Sequence, residues 1–169
     1  MAWKSCRATF AAASCGLAML SWKPFFNPLP MLVWNASDSV SKGLYWVENR
    51  APMIHEIAVL KPPSWASAIA DQRGYLPKNA WLLKPVAASK GIVCRFGSYV
   101  FLDGFVVAKA VKRDKSGRAL PVWKGCKEVR EREVLVLSTH RDSFDSRYFG
   151  PVSASLIIGT AKPLIILGK

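Results

Sequence analysis

The stretch Ser138-Thr-His-Arg-Asp142-Ser143-Phe-Asp145-Ser146-Arg147-Tyr148-Phe149-Gly150-Pro151-Val152 mixes charge, hydroxyls and aromatics too specifically for a structural turn alone. Asp145 and Arg147 are spaced to pair across one face of an extended segment, because strand side chains alternate with a period of two. Ser143 stands close enough to share their hydrogen bonds, and Phe144, Tyr148 and Phe149 would pack the polar group in place. Around this stretch the chain is a series of short apolar runs separated by turn residues. They are Leu44–Val47, Ile57–Leu60, Ala80–Leu83, Tyr99–Leu102, Phe105–Val107, Val134–Leu137, Leu156–Ile158 and Leu164–Leu167. Their length and their content of Val, Ile and aromatics predict strands. Asp103-Gly104 between two runs predicts a tight type I′ hairpin. One helix is predicted from Ser64 to Arg73, after Pro62-Pro63 and stopped by Gly74, with Trp65, Ala68 and Ile69 on its apolar face. The body therefore reads as one mostly β domain.

Two other segments hold groups of chemical interest. In Asn35-Ala-Ser37-Asp-Ser39-Val-Ser41-Lys-Gly43-Leu-Tyr45 an extended backbone would project Ser37, Ser39 and Ser41 to one side. A serine-rich linker is the plainer reading, and composition does not say which hydroxyl reacts. In Trp81-Leu-Leu-Lys84-Pro-Val-Ala-Ala-Ser-Lys90-Gly91 a lysine stands inside an apolar run. Burial disfavours the ammonium form, and a lysine neutral near pH 7 is a general base. The plainer reading has Lys84 carrying its charge out to solvent at a strand end that Pro85 terminates.

The 169 residues suit a single domain, and a hydrophobic content of 51% excludes a disordered chain. Against that apolar background, 24 Lys+Arg and 11 Asp+Glu give a net charge of +13, which points either to a membrane anchor with a cationic domain or to a nucleic-acid binder. The N-terminus favours the membrane. Lys4 and Arg7 precede the uncharged run Ala8–Trp22, the layout of a signal or anchor segment, and the run lacks a polar face. Residues 1–30 are thus read as a signal/anchor segment with a Pro-rich connector, and residues 31–169 as an exported domain. Cys6 and Cys15 fall in the anchor, which leaves Cys94 and Cys126 either as a disulfide in an oxidising compartment or as two buried thiols. Bridging them would contribute ~2–4 kcal/mol in the chain-entropy picture. Positive charge concentrates in Lys109–Arg132, where Trp123 is the only aromatic available to stack on a base. Anionic lipid headgroups suit that stretch better than nucleic acid.

Taken together and in this order, the three segments resemble the signature boxes of the serine–lysine signal peptidase clan, in its conjugal-transfer, TraF-type branch. Ser143-Phe-Asp-Ser-Arg-Tyr-Phe-Gly-Pro-Val152 is the most specific match, supported by Ser39-x-x-x-Gly43-Leu-Tyr45, by the lysine box Leu83–Gly91 and by the Phe101–Val106 hairpin after it. The resemblance implies a signal-peptidase-like catalytic domain of antiparallel sheets with one short helix, preceded by an N-terminal membrane anchor helix. It implies Ser39 as nucleophile and Lys84 as general base. Ser37, beside the Ser39 backbone N–H, would line the oxyanion hole; Ser143 would orient the lysine, and Asp145 with Arg147 would be the supporting ion pair. Tyr148 and Gly150 would be structural. Ser41, Pro85 and Ile92 stand where the family usually has Pro, a basic residue and Asp, which touches the branch more than the mechanism.

The implied activity is maturation of a membrane-bound conjugative pilin precursor through an acyl-enzyme, with head-to-tail cyclisation when the precursor's own amine resolves it. The catalytic domain would face the periplasm from the bacterial inner membrane, near an anionic lipid surface, with no nucleic acid, cofactor or metal involved. A general leader peptidase and an inactive basic scaffold of the transfer apparatus are the alternatives, and a Ser39, His140 and Asp142 triad is the competing site.

Overall fold

The computed structural model describes residues 32–77 and 79–167. The expected anchor, with Cys6 and Cys15, lies outside the described residues, and among those described no helix is long and apolar enough to cross a membrane. Eleven strands and two short helices follow in the order β1 Leu32–Asn35, β2 Gly43–Glu48, β3 Ile57–Leu60, α1 Ser64–Gln72, β4 Leu82–Ala88, β5 Ile92–Phe96, β6 Tyr99–Leu102, β7 Phe105–Lys109, β8 Gly125–Glu128, β9 Glu133–Val136, α2 Ser146–Phe149, β10 Val152–Ser153 and β11 Ile157–Ile166. They build a seven-stranded sheet, β1-β2-β11-β3-β4-β9-β10, and a four-stranded sheet, β7-β6-β5-β8. Every pairing is antiparallel.

The mostly β expectation holds, and the exceptions have local causes. The two apolar runs near the C-terminus are one strand, β11, which crosses Pro163 where its register against β2 shifts. Pro85 does not end β4. The strand runs on to Ala88, and the Pro85 carbonyl still accepts from the Leu137 N–H at 3.0 Å. Only a missing donor marks the proline, beside a register shift against β9. At the tip of the β6–β7 hairpin Asp103 and Gly104 both have positive φ, 48° and 87°, as a type I′ turn requires.

Helix α1 keeps its predicted span but buries a different face. Ala66 and Ala70 are buried, while Trp65 is 45% exposed and Ala68 lies in solvent. Small residues let the helix lie close on Leu60, Leu82 and Phe149, so packing distance outweighs side-chain size here. Its end is closed by Tyr75 N–H to the Ala70 carbonyl at 2.8 Å and Gly74 N–H to the Asp71 carbonyl at 3.0 Å, a Schellman arrangement.

The seven-stranded sheet is packed on both faces. Ala58, Leu60, Leu82, Val86, Val136 and Val152 form one core with α1 and Phe149, and Tyr45, Val47, Val59, Leu83 and Ala161 form the other. A third cluster, with Ala88, Val93, Val100, Leu135 and Leu137, joins the two sheets. Within the small sheet Cys94 and Cys126 stand opposite each other on β5 and β8, joined by a disulfide with S–S 2.02 Å.

Candidate active site

Lys84 lies between Leu82 and Val86 on β4, two residues from each, so all three point to the same face. That face is core, and Lys84 is only 3% exposed. Its register partner on β3 is Ala58, whose methyl leaves room for the long side chain. The ammonium group reaches two hydroxyls: Nζ donates to Ser143 Oγ at 2.7 Å and to Ser39 Oγ. The two serine hydroxyls are themselves 3.2 Å apart. Burial drives the lysine pKa down from 10.5 to about 8; the Asp145 carboxylate opposes that shift and Arg147 reinforces it. A lysine that reads in sequence as a strand-end residue is therefore a buried amine in contact with a partly exposed serine.

Ser39 is held by a tight turn, not by the extended segment that spacing suggested. Strand β1 ends at Asn35, a buried side chain that organises the turn. Its Nδ2 donates to the carbonyls of Ser37, Val40 and Ser41 at 2.9–3.0 Å, and its Oδ1 accepts from the Ser37 N–H and hydroxyl. From the far side the Tyr45 hydroxyl donates to the Ser41 carbonyl at 2.7 Å. Gly43 completes the arrangement, since a Cβ there would sit 2.1 Å from the Ile165 carbonyl oxygen of β11. Ser37, Ser39 and Ser41 consequently have different surroundings: Ser37 is bound to Asn35, Ser41 contributes only its carbonyl, and Ser39 alone meets the lysine.

The Asp145–Arg147 pair forms with a local geometry unlike the extended one expected. Asp145 caps the single turn of α2, accepting from the Arg147 N–H, and its carboxylate takes Arg147 Nε at 2.8 Å and Nη2 at 3.1 Å. Both side chains are essentially buried, and neither is left short of partners. Asp145 Oδ2 also accepts from the Ser138 N–H at 3.0 Å, while Arg147 donates to the carbonyls of Ser138, His140 and Arg141. Ser138 passes the order on, its hydroxyl donating to the Ser39 carbonyl. The buried ion pair is thus linked to the nucleophile turn through Ser138. Gly150 ends α2 at φ 76° and ψ −167°, a region open almost only to glycine.

Asn35, Ser138 and Arg95 carried no role in the sequence analysis. Asn35 and Ser138 open two of the quoted segments, but nothing in composition separates them from neighbouring polar residues. Arg95, buried on β5, donates to the Arg147 carbonyl at 2.6 Å and stacks over Tyr148, tying the small sheet to α2. No signal short of the fold marks it. The His140 ring makes no hydrogen bond to Ser39 or Asp142 among the described residues, and Asp142 faces Lys115 at 3.6 Å.

A cleft of about 1350 Å³ opens onto Ser39 and Lys84. Its lining combines apolar Leu32, Val33, Trp34, Leu76, Trp81 and Leu83 with polar and charged residues from 109–116, Arg118, His140, Arg141 and Asp142. Five of the basic residues between positions 109 and 132 lie there: Lys109, Lys112, Arg113, Lys115 and Arg118. No group of His, Cys, Asp and Glu suited to a metal occurs among the described residues.

Residues 4–166 match the family described as "Signal peptidase, peptidase S26". The chain belongs to this signal peptidase family. It is 33% identical over 144 residues to a plasmid transfer protein TraF of Escherichia coli, covering 78% of this chain and 81% of that one. A conjugal transfer protein TraF of Agrobacterium tumefaciens is 35% identical over 141 residues, covering 77% and 80%. A probable conjugal transfer protein TraF of Sinorhizobium fredii is 29% identical over 169 residues, covering 94% and 86%. Family membership makes the protein a serine peptidase in kind and agrees with an antiparallel β domain carrying a short helix. For a signal peptidase, a buried amine against a serine in the lining of an open cleft is a suitable arrangement for acyl transfer.

Proposed function

We propose that the protein is a membrane-tethered serine endopeptidase that matures a conjugative pilin precursor through a Ser39 acyl-enzyme, closing the product head to tail. The observation that carries the chemistry is the contact of the buried Lys84 amine with Ser39 Oγ. Neutral Lys84 accepts the Ser39 proton as Oγ attacks the scissile carbonyl. The Ser39 N–H and the Ser37 hydroxyl hold the oxyanion, with Ser37 turning away from Asn35 to do so. Collapse breaks the C–N bond; the departing amine takes the proton from Lys84, and the ester on Ser39 remains. The precursor's N-terminal amine then attacks that ester and gives up a proton as Ser39 Oγ leaves, so one peptide bond is lost and one formed. A cleft of about 1350 Å³ opening on Ser39 supports a site that takes peptide segments. The conjugal-transfer names of the relatives support the choice of substrate.

Residues 1–30 anchor the chain in the inner membrane and residues 31–169 form the periplasmic domain. The disulfide supports an oxidising compartment. Exposed Leu32, Trp34 and Trp46 on the outer strands, with Leu164, Ile165 and Ile166 beside them, support a surface resting on the bilayer. The test uses the full chain in membranes with the precursor. Ser39→Ala and Lys84→Ala should each abolish processing, and the wild-type product should weigh one water less than the linear peptide. Processing by both variants would refute the catalytic assignment, and a linear mass would refute cyclisation alone.

A further inference from the structure

The charged lining of the cleft has a positive surplus. Among the described residues, the carboxylates lining the cleft are Asp38, Asp114 and Asp142, and each is engaged: with Lys42 at 2.9 Å, Arg118 at 2.7 Å and Lys115 at 3.6 Å. Arg73, Lys109, Lys112, Arg113 and Arg141 line the same cleft with no carboxylate partner among the described residues. Lys112 and Arg141 are exposed, and neither side chain donates a hydrogen bond among the described residues. Unpaired cations and apolar side chains lining one cleft together with the serine are complementary to one kind of ligand.

The geometry points to selection of peptide substrates bearing an acidic residue close to the scissile bond, with apolar side chains and carboxylate both met by the lining of the one cleft. This rests on the Ser39–Lys84 reading of the site. It also gives the 109–118 part of the basic stretch a task inside the cleft. The alternative task, holding anionic headgroups, suits residues outside the cleft, whereas these cations line it together with Ser39 and Lys84.

The experiment uses the full chain in detergent and quenched peptides identical except for Glu, Gln or Lys at single positions flanking the cleavage site. At the best position kcat/KM should favour Glu over Gln by about tenfold, as two or three partly exposed ion pairs would give. The preference should collapse toward unity at 1 M salt, where the Debye length is about 3 Å. The double substitution Lys112→Glu/Arg141→Glu should invert it, so that the Lys peptide is cleaved best; a raised rate on that peptide also shows that the variant is folded. Equal rates on Glu and Gln peptides in the wild type, with cleavage still dependent on Ser39, would overturn the proposal and leave the Ser–Lys reading standing. Cleavage that survives Ser39→Ala would overturn both. An unchanged peptide preference in the double variant, with loss of flotation on phosphatidylglycerol vesicles, would overturn the proposal in favour of lipid binding.

Discussion

If Lys84 is the base, the enzyme's pH dependence follows from the burial of one amine. Its pKa of about 8 means that about one lysine in eleven is neutral at pH 7, about half at pH 8 and about nine in ten at pH 9. Only the neutral fraction accepts the Ser39 proton, so kcat/KM should rise about tenfold per pH unit below the break and level off above it. The assay is initial-rate cleavage of a quenched peptide from pH 6 to 10 at constant ionic strength, with Ser39→Ala as background. A peptide whose flanking groups do not titrate in that range isolates the enzyme's own groups. The sign is tested by Asp145→Asn. The Asp145 carboxylate favours the ammonium form, so its removal, which also leaves Arg147 unneutralised, should move the break to lower pH. A wild-type break near 10.5 would mean that burial does not tune this lysine, and a break near 6.5 would indicate a histidine base. An upward shift in Asp145→Asn would refute the electrostatic account even if the wild-type profile agreed.

The same shift affects stability. The folded pKa lies below the unfolded one, so this group's stabilising contribution is complete above about pH 10.5 and is lost as pH falls through about 8. The full difference is about 3 kcal/mol, so Lys84→Met should be inactive yet melt higher than wild type at pH 7 by roughly 5 °C, after allowing about 1 kcal/mol for the lost bond to Ser143. A lower Tm than wild type at pH 7 would count against a buried charge. Ser37→Ala should lower kcat by about 10²–10³ with little change in KM if the hydroxyl serves the oxyanion. A loss below about threefold would leave Ser37 only as a partner of Asn35. Asn35→Ala should destabilise the domain by about 1–3 kcal/mol by releasing the turn carbonyls, and should lower kcat because Ser39 is no longer held against Lys84. Denaturant melts with single-turnover rates check both parts, and full activity would refute the positioning role.

What the sequence revealed and what it hid differ by range. Runs such as Ile57–Leu60 and Tyr99–Leu102 appear in the structure with the same bounds because branched and aromatic side chains favour a pleated, half-buried surface whatever lies around them. Strands β1, β5, β8 and the two-residue β10 match none of the expected runs. Each is short, and β5 and β8 mix charged residues and cysteine into a weak pattern, held by partners across the sheet rather than by their own composition. Helix α1 shows the same limit. Its span was legible from Pro63 and Gly74, but the buried face was set by what the sheet had room for, and alanine fitted where tryptophan did not.

For the site, the legible part was the side chains and the hidden part was the order that holds them. Lys84 stood out because a charge in an apolar run needs explaining, yet periodicity could not say whether it turned inward. That depended on Ala58, twenty-six positions away, being small, and on β4 continuing through Pro85. Asp145 and Arg147 were legible as a pair but not as the hub of a relay. The carboxylate fixes the Ser138 backbone, and the Ser138 hydroxyl fixes the Ser39 carbonyl across 99 positions of sequence. This arrangement explains why a buried ion pair sits beside a lysine whose neutrality the reaction needs. Alone, either charge would displace the pKa, the carboxylate upward and the guanidinium downward. Bonded to each other they act on Lys84 in opposite directions, and burial, the largest influence, decides its pKa, while the bonds of the pair hold the serine turn in place.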